Sequence, residues 1–397
     1  MADANGGDAN GGDTSDGSAP SISPEQLHER LLAGEPISIL DLRDRDEVDQ
    51  WAIDGDGVSL RQAPMMRFVA AEAQGTVADL AADLGLDPPI VAVCGEGKAS
   101  DHVAGLLNGA GIEARNLAGG MDAWADLYLA AEIDVDGDEA TVVQYHRPSS
   151  GCLSYMIAAG GEAVVVDPLR AFVDRYVADA RDRDVSIAAA VDTHVHADHV
   201  SGVRDLAAET GSRIVLPDGA LDRGLAFEAE TIGDGGAIRV GAATVEAMHT
   251  PGHTTEMTSF LLDGLLLSGD GLFLESVARP DLERGSDGAR DLAGTLHATL
   301  RDLRSLPGET LVAPGHVGPN AAPGEDGTYT ATLATLRDRL DLLGLDREAF
   351  VERVLADVPP RPANYERIID ANLGREEIAA GEAFELELGP NNCAVSA

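Results

Sequence analysis

The segment THVHADHVSG, residues 193–202, places three histidines and one aspartate, His194, His196, His199 and Asp198, in a run of six residues. Ahead of it, IAAAVDT (187–193) is a short apolar run that predicts a buried strand; behind it, VSGVRDLAAET (200–210) predicts a helix. At a strand end, alternation would put His194 and His196 on one side, and the following turn would bring Asp198 and His199 in from another direction. One short loop is thus expected to offer four ligands. Imidazole nitrogens suit zinc or iron, and the carboxylate adds charge and hardness. The alternative is a solvated loop whose histidines only cap the next helix, and a cluster this dense at a strand–loop–helix junction argues against it.

Three later positions extend the pattern. TPGHT places His253 on a Pro-Gly turn after the strand-like TVEAMHT, LLLSGD puts Asp270 at the end of an apolar strand, and LVAPGH puts His316 after another. Loops at strand ends are where a rigid sheet can aim a ligand. In this order the motifs resemble the metallo-β-lactamase superfamily. The resemblance implies a four-layer αββα sandwich with the metal site along one edge of its two sheets and Asp270 as a bridging carboxylate.

At 397 residues the chain is long enough for two or three domains with separate cores. No apolar run has membrane-spanning length, and residues 1–20, rich in Gly, Asp and Asn, predict a disordered acidic tail without the features of a signal peptide. The 69 acidic residues against 28 basic ones give a net charge of −41, which argues against nucleic-acid and membrane partners. The acid is spread along the whole chain, and with almost no lysine this resembles proteins of salt-loving archaea. Cys94, Cys152 and Cys393 lie far apart and form no paired framework, from which a reducing cytoplasm is the expected location.

Residues 21–130 alternate helical and strand patterns, as a small parallel α/β domain would. SPEQLHERLLAG opens a helix at Ser23 and closes it at Gly34, and PIVAVCGEG sets Cys94 where a strand stops and a helix begins. Backbone N–H groups and the helix dipole there would favour a thiolate or a bound anion. DLRDRDEVDQWAIDGDGVSL, VAVCGEGKAS and NLAGGMDAW together resemble a rhodanese-like sulfurtransferase domain. By that resemblance Cys94 would carry sulfane sulfur as a persulfide. Where many relatives have an arginine this loop has Ala99, and the neighbouring Lys98 is the only lysine of the chain, either an ammonium placed near the sulfur anion or a chance of composition.

AEIDVDGDEA (131–140) is expected to be a linker, and TVVQYHRPSSGCLSYMIAAGGEAVVVDP to form three short strands. SGCLSYMI resembles the opening of the persulfide dioxygenase branch of the superfamily, and apolar neighbours give Cys152 a packing role. GLFLESVARPDLERG, with Arg279, Pro280 and Asp281, resembles that branch more than the glyoxalase II branch, which implies that Arg279 or its loop shapes the substrate side of the site. From residue 328 the pattern is mainly helical, with Tyr365 and Asn372 expected to pack and cap.

The expected fold class is α/β: an N-terminal rhodanese-like parallel-sheet domain (21–130), a linker (131–140), a metallo-β-lactamase-like sandwich (141–327) and a helical C-terminal segment (328–397). Two chemistries fit the ligands. The first is a persulfide dioxygenase, in which, by the resemblance, His194, His253 and Asp270 would hold one Fe(II) while His196, Asp198, His199 and His316 line the site. The second is a hydroxyacyl-thioester hydrolase of glyoxalase II type, with two zinc ions sharing Asp270. A rhodanese domain has an obvious use beside the first and little beside the second. A degenerate sulfur-binding module is the third reading. The expected partner is a low-molecular-weight thiol persulfide or thiosulfate, and assembly as a homodimer stays open. Because self-repulsion among so many carboxylates is screened only by salt, the melting temperature should rise between about 0.1 M and molar salt. A melting temperature that ignores salt over that range would remove the halophilic reading.

Overall fold

The computed structural model describes residues 18–135, 140–318, 321–356, 358–387 and 392–395. The acidic tail falls outside these up to residue 17, as do residues 136–139 of the expected linker. Two compact units result, Met1–Trp124 and Ala125–Ala397. Among the described residues no helix is long and apolar enough to cross a membrane.

The first unit holds β1 (Ser21–Ile22), β2 (Ile37–Asp41), β3 (Val58–Gln62), β4 (Ile90–Val93) and β5 (Ala114–Leu117), in the order β1-β5-β4-β2-β3. All four pairings are parallel. Every residue of β2 and β4 is buried, as parallel strands covered on both faces require. The first helix, Pro24–Leu32, starts at a capping box in which Ser23 and Gln26 satisfy each other's backbone N–H.

The second unit is a sandwich. Its first sheet contains β6 (Leu129–Ile133), β7 (Thr141–Arg147), β8 (Cys152–Ala159), β9 (Glu162–Val166), β10 (Ser186–Val191), β11 (Arg213–Pro217) and β12 (Glu230–Ile232). The second contains β13 (Ala237–Val240), β14 (Ala243–His249), β15 (Thr258–Leu262), β16 (Leu265–Gly269), β17 (Leu311–Pro314) and β18 (Ala331–Thr332). Tyr155, Ile157, Val164 and Val191 from one sheet share a core with Val245, Ala247, Phe260 and Leu262 from the other. Tyr145, Met156 and Val165 bury the opposite face of the first sheet against Tyr176 and Leu206 of helices Val173–Asp182 and Val203–Thr210. Helices Gly285–Leu303 and Arg347–Ala356 pack on each other and add Leu296, Leu300, Phe350 and Val354 to the inter-sheet core. This is the mixed α/β layering that the motifs imply.

Two local differences have simple causes. Residues 131–133, read as the start of a linker, pair with β7 because their alternating burial matches a half-covered edge strand. Ala331 and Thr332, read as helical, form an edge strand on β17, and Thr332 then caps helix Leu333–Arg339 by accepting from Thr335 N–H. Phe260 is fully buried between the sheets, so Phe260→Ala should cost the second unit about 3–5 kcal/mol and lower its denaturation midpoint. An unchanged midpoint would mean that this core is not what holds the sandwich.

Candidate metal centre

The chain leaves β10, β14, β16 and β17 at Val191, His249, Gly269 and Pro314, and the loops that follow carry the histidines and Asp270. The turn into Asp270 uses Gly269 at φ 49°, and a Cβ on Gly315 would lie 2.6 Å from Asp270 Oδ1. Only glycine lets these two loops approach so closely.

His194, His253 and Asp270 form one group whose ligand atoms all lie within 4.8 Å of one another. Asp270 Oδ2 is 3.9 Å from His194 Nε2 and 3.7 Å from His253 Nε2. All three residues are buried, and none of these three atoms has a hydrogen-bond partner. Their ring orientations follow from their other contacts. Thr193 Oγ1 gives its only proton to Asp167 Oδ2, so at 2.9 Å it can only accept from His194 Nδ1. His253 Nδ1 donates to the Arg279 carbonyl at 2.9 Å. Burial, with His196 and His253 nearby, holds the His194 pKa well below its ordinary value. With Nδ1 committed on both rings, the two Nε2 atoms and a carboxylate oxygen face one another in a dry space, each without a hydrogen-bond partner. A cation is what such a donor set fits, and two histidines with one carboxylate suit Fe(II) or Zn²⁺.

The other expected ligands pair with one another through some of their atoms, while His196 Nδ1, Asp198 Oδ1 and His199 Nε2 are buried without a hydrogen-bond partner. His316 Nδ1 lies 2.5 Å from Asp270 Oδ1 and its Nε2 2.7 Å from Asp198 Oδ2, so both ring nitrogens donate to carboxylates. Burial alone would lower its pKa, but Asp270 and Asp198 hold it well above the usual range, as an imidazolium. His199 Nδ1 meets Asp198 Oδ2 at 3.3 Å, and that carboxylate likewise outweighs burial and raises the His199 pKa. His196 Nε2 is 3.1 Å from Asp167 Oδ1 and 3.8 Å from Asp192 Oδ1. His194 and His196 do not join the same ligand group, because the ladder ends at Val191 and strand alternation does not continue through the loop. Burial pushes the Asp192 carboxyl up to about 6.

Several partners of this site were not readable beforehand. Asp167, at a left-handed φ of 52°, accepts from Thr193 N at 2.6 Å and so fixes the start of the histidine loop. Buried Glu256 accepts from Val195 N at 3.0 Å and pairs with Arg223 at 2.6 Å. Cys152, expected to pack, lies in a group with Asp198, His199 and His316, with its thiol 3.5 Å from Asp198 Oδ2. Burial would raise its pKa, but His316 brings it below the ordinary value. Cys393 is grouped with Asp270 and His316, and burial with the two aspartates raises its pKa. The Arg279 guanidinium, 1% exposed, is committed to Asp281, to Pro360 O and to Asn392 O. It is the Arg279 carbonyl that reaches the site.

In the first unit, Cys94 Sγ accepts from Ser100 N at 3.4 Å and from Ser100 Oγ at 3.2 Å, at the start of helix Lys98–Gly109. Gly120 of the GGMDAW turn has φ 65°, and a Cβ there would overlap the Cys94 carbonyl. Lys98 points outward, 85% exposed, and pairs with Glu96 at 2.5 Å.

A family model described as the Metallo-beta-lactamase superfamily matches residues 147–316, and a Rhodanese-like domain matches residues 23–127. A hydroxyacylglutathione hydrolase of Xanthomonas euvesicatoria pv. vesicatoria (strain 85-10) is 34% identical over 41% of this chain, which spans only 58% of that relative. The mitochondrial persulfide dioxygenase ETHE1 of Mus musculus is 27% identical over 58% of this chain and 86% of its own. Among solved structures, ETHE1 from Myxococcus xanthus aligns with a TM-score of 0.51 at 28% identity, covering 59% of this chain and 98% of that one. With the sandwich, the ligand order and the Cys94 loop in place, the chain belongs to the metallo-beta-lactamase superfamily and carries a rhodanese-like domain at its N-terminal end.

Proposed function

We propose that this chain is a persulfide dioxygenase, oxidising a low-molecular-weight thiol persulfide to sulfite at a single Fe(II), with its rhodanese-like domain moving sulfur to or from that substrate. The observation that carries this reading is the division of the ligands. His194, His253 and Asp270 each turn an atom without a hydrogen-bond partner into the same space, while His316 spends both nitrogens on Asp198 and Asp270. A second ion on Asp198, His199, Asp270 and His316 would have to displace those bonds.

In this reading His194, His253 and Asp270 hold the iron, and Thr193 and the Arg279 carbonyl fix the two imidazole tautomers. An iron ion held by these residues would supply the redox chemistry that joins a persulfide sulfur to dioxygen. One persulfide, one O₂ and one water give one thiol and one sulfite, the sulfane sulfur losing the four electrons that O₂ accepts. His316 holds one proton at Nδ1 against Asp270 Oδ1 and another at Nε2 against Asp198 Oδ2. Arg279 contributes by holding its own loop, since its guanidinium is already paired. In the rhodanese-like domain, Cys94 attacks the outer sulfur of thiosulfate, the S–S bond breaks and sulfite leaves. Lys98 sits at the exposed rim of that loop and attracts the anion through solvent.

The hydrolase relatives favour a rival, a dinuclear zinc hydroxyacyl-thioester hydrolase. Protein purified without air should contain about one iron per chain and consume O₂ with a small persulfide, forming sulfite. Two tightly held zinc ions with rapid thioester hydrolysis would establish the rival, and His253→Ala should abolish either activity. Cys94→Ser should remove thiosulfate:cyanide sulfurtransferase activity yet leave oxidation of a supplied persulfide intact. Lys98→Ala should raise KM for thiosulfate more than it lowers kcat, an effect that fades with salt. If Cys94→Ser still transfers sulfur, the loop is a relic and the persulfide substrate rests on the second unit alone.

A further inference from the structure

The segment between β10 and helix Val203–Thr210 has no ladder of its own, so its peptide groups need partners from elsewhere. Asn372, the last residue of helix Tyr365–Asn372 and 8% exposed, supplies three of them. Its Nδ2 donates to His196 O at 3.0 Å and to His199 O at 2.9 Å, and its Oδ1 accepts from Ser201 N at 2.9 Å. Both amide protons and the carbonyl are thus used on one stretch of six residues that includes Asp198 and His199. Beside it, Glu387 Oε1 accepts from Val200 N at 2.8 Å, and its Oε2 pairs with the buried Arg147 at 2.7 Å. Val200 itself packs in one cluster with Ile368 and Ala371 of the Asn372 helix.

We propose that Asn372 is a positioning residue of the metal centre: through its carboxamide the C-terminal helical segment sets the path of the loop that carries His194, His196, Asp198 and His199. This rests on the reading that His194, His253 and Asp270 hold a metal ion. Two donors and one acceptor on a short rigid group are what the loop needs, and no other side chain of that length offers them. Aspartate keeps the acceptor for Ser201 but sets a carboxylate against two carbonyl oxygens. Leucine keeps the shape and removes all three bonds. Groups that orient a metal ligand typically change affinity by about 10–100-fold when lost.

The test uses the full chain loaded with Co(II), with affinity measured by chelator competition and geometry read from the visible d–d spectrum. Asn372→Leu and Asn372→Asp should each weaken Co(II) binding about 10–100-fold and shift the spectrum, with far-UV dichroism unchanged. Val177→Ala, buried in helix Val173–Asp182 in a cluster that holds no residue of the loop, should lower the melting temperature and leave affinity and spectrum alone. Should Asn372→Leu fail to fold, Asn372→Asp decides. Wild-type affinity and spectrum in the aspartate variant would overturn the proposal, and so would equal weakening by Val177→Ala, which would reduce the effect to general stability. A wild-type chain that takes up no Co(II) would instead remove the metal reading, and the proposal with it.

Discussion

Three polar atoms without a hydrogen-bond partner, His194 Nε2, His253 Nε2 and Asp270 Oδ2, are held together in the dry interior of the sandwich. Such an arrangement repels itself unless a cation neutralises it, so the surrounding structure must supply the force that keeps it assembled. That force comes from the sheets. Three of the strands that end beside the site, β10, β16 and β17, are buried almost throughout, and each loop leaves its strand at a fixed height. A loop on a mobile scaffold would relax by turning an imidazole to solvent, and here His194 and His253 have none to turn to.

Around that group the charges alternate. The His316 imidazolium lies between Asp270 and Asp198, and Asp198 in turn meets His199. Buried ions are tolerated when each finds an opposite partner and its hydrogen bonds are complete, and removing one partner strands the other at a cost of about 3–5 kcal/mol. The chain of pairs therefore explains why His316, though part of the expected ligand set, has neither ring nitrogen to spare. Which donors are left for a cation depends on the hydrogen bonds the others have already made.

The ligands themselves were legible because they are densely spaced and because each follows an apolar run that can only be a strand, as at His194, Asp270 and His316. The parallel domain around Cys94 was legible for a similar reason, with the capping box at Ser23 and the short buried runs of β2 and β4. What was not legible was partnership across long separations. Nothing near Asn372 or Glu387 in the sequence says that they meet residues 196–201, and Cys152 looks like any core cysteine until β8 brings it beside His316. Arg279 was noticed for its charge, yet its carbonyl does the orienting. Local periodicity carries no information about such contacts.

The same distinction separates the surface from the interior electrostatically. Of 28 basic residues one is lysine, and the arginines Arg147, Arg223 and Arg279 form buried or nearly buried pairs with Glu387, Glu256 and Asp281. A guanidinium is weakly hydrated and planar, so it enters such pairs at lower desolvation cost than an ammonium and satisfies two acceptors at once. Glu387 and Glu256 each also accept a backbone N–H of the histidine loop. Salt that screens the acidic surface within about a Debye length penetrates these pairs little. The surface can therefore be adapted to its ionic surroundings while the loop geometry stays under the control of interior pairs.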